Sequence, residues 1–150
     1  MKSYKWFSAY FFSNANDNRT ILVRLVVGMI FLTEGIQKYL FPELLGTGRF
    51  LKIGFADPSF WAYFTGSFEI LCGTLIILGI LIRLATIPPF IIMMVAFVTT
   101  KWPILMNKGF WLFAHEYRTD FAMTLLLIFL FIYGIEMRSK NSRVSKPPKY

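Results

Sequence analysis

Glu69 stands in the middle of a long apolar run, between about Phe60 and Ile82, where almost every neighbour is a hydrocarbon or aromatic side chain. A carboxylate inside such a run costs roughly a few kcal/mol to bury, so it needs a cationic partner or a function that repays the cost. At 1.5 Å rise per residue it lies about 15 Å from the start of its helix, too deep to reach the rim by extending its side chain. An Arg or Lys from a neighbouring helix is the expected partner. Glu34 and Lys38, one turn apart in the preceding apolar run, supply a second carboxylate and an ammonium near the same end. Carboxyl and ammonium groups held together out of water can pass a proton or orient a polar ligand atom. Glu69, Lys38 and Glu34 are therefore the candidate catalytic groups.

Further along, His115, Glu116, Arg118 and Asp120 crowd the connection before the last apolar run. An imidazole at His115 suits proton relay. With Arg24 and the aromatic Trp61, these four residues complete the candidate substrate-binding set. All but Arg24 are expected to converge with the three candidate catalytic groups on one outward-facing polar pocket. A structural reading stands beside each. Glu34 and Lys38 can form an i,i+4 ion pair at the rim. Arg24 can anchor a helix end, Asp120 can cap a helix N-terminus, and His115 can be a surface residue. Cys72, one turn from Glu69, reads as a small hydrophobe. No His, Cys or carboxylate grouping has metal-ligand spacing, and no phosphate loop or nucleophile elbow occurs.

These groups must be positioned by membrane helices. The 150 residues are 56% hydrophobic and only 16% charged, too few charges to cover a soluble domain of this size. Aromatic residues make up 19%, which excludes a disordered chain. Four continuous apolar segments, about 21–41, 60–82, 84–100 and 121–137, are long enough to cross a bilayer as helices. They are unbroken rather than alternating, which argues against a closed β-barrel. The expected fold is all-α, a single-domain integral membrane four-helix bundle, with Pro88-Pro89 kinking the third segment. Arg24, Gly28, Phe31, Gly35 and Lys38 fall on one stripe about 80° wide. Ala62, Gly66, Glu69, Gly73 and Ile76 repeat that spacing. Gly28, Gly35, Gly66 and Gly73 are the expected packing positions, because small residues let membrane helices approach closely.

The net charge of +8 reports orientation rather than nucleic-acid binding. Ten Lys and Arg fall on the side of the termini and six on the other, which places both termini in the cytoplasm. Lys2 and Lys5 followed by Trp6, Phe7, Tyr10, Phe11 and Phe12 predict a short N-terminal interfacial helix. Residues 138–150 read as a basic cytoplasmic tail beside anionic lipid. Between Pro42 and Pro58, Gly46 and Gly48 introduce Arg49-Phe-Leu-Lys52-Ile, either a short amphipathic segment or a structured linker.

Several of these residues carry a resemblance. Arg24-Leu-Val-Val-Gly28-Met-Ile-Phe31 with Gly35 and Lys38, then Gly54, Pro58 and Ala62, is similar to the opening of the DoxX family. Glu69-Ile-Leu-Cys-Gly73, Leu78-Gly79, Arg83 and Ala85 resemble its second-helix signature, and Glu116-Tyr117 with Gly134 its fourth-helix region. The likeness spans about residues 20–135. The chain departs from it at Thr99, Thr100 and Lys101 and after the last helix, at Glu136-Met-Arg-Ser-Lys. The resemblance implies a four-helix protein of the inner membrane and singles out Arg24, Lys38, Glu69 and Arg83. It implies association with a quinone-linked oxidoreductase or with thiol-redox metabolism. Because the sequence offers no electron carrier, no cofactor is expected within the chain beyond a bound quinone, and a redox partner subunit is expected to supply the electrons. A non-catalytic scaffold or chaperone-like subunit is the alternative, and homo-oligomers fit either.

Overall fold

The computed structural model describes residues 20–144, with side chains to Ile132. The expected interfacial N-terminal helix and the last residues of the basic tail lie outside the described residues. All regular structure within them is helical. Helix α1 (Ile21–Leu40) is followed by the short α2 (Thr47–Lys52) and by α3 (Pro58–Leu78). Helix α4 (Ile82–Ala96) continues through a π-helical turn, Phe97–Lys101, into α5 (Trp102–Lys108). Helix α6 (Phe110–Val144) closes the bundle. Pro58–Leu78 and the continuous stretch Ile82–Lys108 are each long and apolar enough to cross a membrane.

Local chemistry explains the ends. Asp57 caps α3 by accepting a hydrogen bond from the Phe60 amide at 3.2 Å, with Pro58 in the first turn, where its missing N–H costs nothing. At the other end Gly79 adopts φ +77°, and the amides of Gly79 and Ile80 return to the carbonyls of Ile76 and Leu75. This Schellman closure is followed by Leu81 at φ +51°, and the chain reverses into α4 within three residues. Pro88 and Pro89 sit inside α4 without interrupting it; the departure from α geometry falls later, at Phe97–Lys101. Pro103 has no N–H for the Thr99 carbonyl and its ring crowds that oxygen, which favours a wider turn there.

Helices α1 and α3 pack most closely, along the glycine stripe. A Cβ on Gly73 would lie 2.7 Å from the Leu32 amide nitrogen and 2.8 Å from the Gly28 carbonyl oxygen. Gly35 and Gly66 meet in the same way, where a Cβ on Gly35 would lie 2.7 Å from the Gly66 carbonyl oxygen. Seven residues separate the glycines within each helix, so two facing pairs bring the backbones together in antiparallel register. Val27, Phe31, Cys72, Ile76, Ile82, Ala85, Met123, Leu127 and Leu130 form the buried core beside this seam.

Two expectations need correction. The last helix begins at Phe110, eleven residues before the expected 121, because the breaker is Gly109 at φ +87° and not Asp120. Phe113 and Tyr117 then pack on Phe97 of the π-helical turn, with ring centroids 6.2 and 5.1 Å away. His115, Glu116 and Arg118 are consequently helical, and Asp120 lies inside α6 rather than capping it. Likewise the third apolar stretch does not stop at residue 100 but stays helical to Lys108.

Candidate functional site

Glu69 is 4% exposed and Lys38 8%, and they meet across the α1–α3 seam with Lys38 Nζ donating to Glu69 Oε2 at 2.5 Å. Gly35 and Gly66, about one turn before Lys38 and before Glu69, let the two backbones close enough for that bond. The ammonium also lies 3.5 Å from the Glu34 carbonyl oxygen, at the limit of a hydrogen bond. An ammonium has three protons, so Lys38 keeps a donor for a further partner.

That donor borders a cavity. A space of about 270 Å³ opens beside Lys38 at the end of the bundle where α1 gives way to α2 and α3 begins. Arg49 and Phe50 of α2 form one wall, joined by Ile53 at its C-terminal end and Phe55 of the following loop. Trp61, Phe64 and Thr65 of α3 form the second. Ile91, Ile92, Val95 and Ala96 of α4, with Thr99 and Thr100 of the π-helical turn, form the third. The rings are tied together: Phe55 lies edge-on to Phe50 and to Trp61, at 5.3 and 5.8 Å. The lining is thus aromatic and aliphatic, with one ammonium, one guanidinium and a few hydroxyls. Its volume falls just under the usual range of small-molecule sites, about 300–1,000 Å³.

The other expected site residues lie elsewhere. Glu34 is exposed; only its backbone carbonyl reaches toward Lys38, and the expected i,i+4 carboxylate–ammonium pair does not form. Phe31 of the glycine stripe is buried in the core, and Phe68 packs against that core. His115, Glu116 and Arg118 are exposed on α6, with Arg118 Nη1 2.7 Å from His115 Nδ1. Asp120 pairs with Lys101 at 3.3 Å, and Lys101 Nζ donates to the Glu116 carbonyl at 2.8 Å. This second polar node clamps the π-helical turn to α6, and none of its members lines the cavity. A single pocket uniting Glu34, Lys38, Glu69, His115, Glu116, Arg118 and Asp120 is therefore not what the chain builds.

Arg24 lies at the opposite end of the seam. Its Nε donates to the Ile76 carbonyl at 3.0 Å and its Nη2 to the Ile77 carbonyl at 2.8 Å. The guanidinium thus closes carbonyls in the last turn of α3, where the helix dipole favours a cation. It lies over Gly79, where any Cβ would collide with it. Arg83 is 1% exposed.

Sequence reasoning missed the α2 wall and the α4 wall. The signals were present: Ile91, Val95 and Thr99, like Ile92, Ala96 and Thr100, recur every four residues on one face.

The DoxX family model matches residues 20–102, more than half of the chain. The chain belongs to the DoxX family. Every residue that lines the cavity, from Lys38 to Thr100, falls within the matched region, and the His115–Asp120 node falls beyond it. Uncharacterized membrane protein Rv3486 of Mycobacterium tuberculosis is 46% identical over 132 residues, covering 84% of this chain and 81% of the relative. CatD of Bacillus subtilis, which bears the name of a candidate oxidoreductase, is 29% identical over 133 residues, covering 87% and 90%. No solved structure matches the chain. With its two long apolar helices, this DoxX chain is a membrane protein.

Proposed function

We propose that this protein is the membrane subunit of a quinone-linked oxidoreductase, and that the cavity beside Lys38 seats the quinone ring. The observation that carries the reading is that Lys38 belongs to both the buried ion pair and the cavity wall. The aromatic walls suit a flat ring. The spare proton of Lys38 suits a ring carbonyl, and Glu69 behind it holds the ammonium in place. A volume of about 270 Å³ has room for a ring rather than a long isoprenoid tail, which would run out into the lipid. Reduction of such a ring takes two electrons and two protons. The chain contains one cysteine and so no dithiol couple of its own. The electrons come from a redox partner subunit; this chain positions the ring and holds a proton at Lys38 Nζ. The name borne by CatD agrees with this assignment. The ten-to-six division of Lys and Arg supports cytoplasmic termini, membership of the family supports placement in the inner membrane, and homo-oligomers are compatible with both.

The test is titration of the purified protein in lipid nanodiscs with menadione, read by tryptophan quenching and calorimetry. Saturable binding is expected, weakened about tenfold or more in Lys38→Met, the scale of one charge-assisted hydrogen bond. The double variant Lys38→Met/Glu69→Met removes both buried charges together, so a folded protein without the donor can be assayed. Absence of saturable binding, or equal binding by wild type and the double variant, overturns the proposal. The scaffold reading keeps one observation of its own, since Lys38 and Glu69 would hold α1 to α3 with or without a ligand. Co-purification of a stable partner with the double variant, together with no ring binding by wild type, would select it.

A further inference from the structure

The cavity carries a second cation that a neutral ring does not need. Arg49 lines it from α2, and among the described residues no carboxylate lies within ion-pair distance of its guanidinium. The charge on Lys38 is already answered by Glu69. Glu34, the other carboxylate near that pair, is exposed and outside the lining. The polar balance of the walls is therefore one matched pair and one extra positive charge, over aromatic and aliphatic surface. Arg49 is exposed on one side, so it can hydrate without a ligand and still turn its planar fork toward an occupant. Phe50, Phe55 and Trp61 beside it hold a flat occupant in the same wall.

We infer that the cavity selects rings bearing an ionised oxygen, with Lys38 donating to a carbonyl and Arg49 pairing with the anionic oxygen as the specificity-determining residue. This rests on the reading of the cavity as a ring site and narrows its ligand class to acidic hydroxyquinones and related phenolates. The physical basis is that an anionic oxygen leaves water at a cost which only a charged donor offsets. A neutral ring of the same shape gains less from Arg49, which can donate to a neutral oxygen but has no opposite charge to pair with.

Two ligands of nearly equal shape isolate the charge. In 2-hydroxy-1,4-naphthoquinone the hydroxyl is a vinylogous acid, ionised at neutral pH; 2-methoxy-1,4-naphthoquinone stays neutral. Both are titrated into the full-length protein in the same nanodiscs, and the affinity ratio is compared between variants, so that partition into lipid cancels. The hydroxy compound is expected to bind about tenfold or more tightly than the methoxy compound, the scale of one charge-assisted pair. That ratio should collapse toward one in Arg49→Gln, survive in Arg49→Lys, and survive in Lys52→Gln. Lys52 is exposed on the same helix and does not line the cavity, so it controls for general surface charge. Equal affinity for the two compounds in wild type overturns the inference while leaving the ring site standing. So does a preference that persists in Arg49→Gln or disappears equally in Lys52→Gln. Failure of both compounds to bind overturns the inference and the ring site together.

Discussion

Arg24 and Lys38 are two buried cations on one stripe of α1, fourteen residues and about 21 Å apart. Each reaches across to α3, and each does so near facing glycines that thin the seam. On α3 their partners differ in kind. Arg24 meets backbone carbonyls at the C-terminal turn of α3, acceptors that cannot gain or lose a proton. Lys38 meets a carboxylate, retains a donor, and borders a cavity. A cation on backbone carbonyls is a cap, and a cation on a titratable side chain beside open volume is a site. Position on the helix does not distinguish the two ends; the surroundings do.

The comparison can be broken most forcefully at Glu69. Replacing it with Ala strands the Lys38 ammonium in a buried place, and loss of one member of a buried pair costs about 3–5 kcal/mol. Thermal unfolding in detergent should show that drop, with Lys38→Met/Glu69→Met recovering most of it. A double variant as unstable as Glu69→Ala would mean that the pair is needed for the fold itself. The Arg24 end should respond less. Arg24→Gln removes the charge but keeps an amide that can donate to one of the Ile76 and Ile77 carbonyls. The net loss is that of one charged hydrogen bond, about 1.5–3 kcal/mol, and menadione affinity should stay at its wild-type value. Weaker menadione binding in a folded Arg24→Gln protein would erase the distinction between cap and site. The smallest effect belongs to the Lys101–Asp120 node, which is partly exposed. Asp120→Asn should cost about 1 kcal/mol or less, as for exposed ion pairs generally. A larger loss in the same unfolding assay would promote that node from clamp to core element.

How much of this was legible beforehand varies by residue. That Glu69 needs a cation from a neighbouring helix follows from its depth in an apolar run, and Lys38 fills that role. The glycine stripes were equally plain, since spacing by three and four defines a face whatever the face meets. The choice between a cap and a ligand contact for Arg24 was not legible, because the carbonyls it binds belong to residues 52 and 53 positions away. The placement of His115 and Asp120 was misjudged for a local reason. An aromatic, charged stretch looks like a loop until Phe97 supplies a surface for Phe113 and Tyr117 to pack on.

The sequence by itself determined the membrane-helical class, the glycine-lined packing faces of α1 and α3 and the need for a buried ion pair. These follow from composition and from the 3.6-residue period, which are properties of single segments. Only the tertiary structure decided that α2 folds over the end of the bundle and that Arg49 shares a cavity with Lys38. It also decided that the His115–Asp120 node stands apart from that cavity. Those outcomes depend on which faces of distant helices meet, and so on packing register, which no segment carries alone.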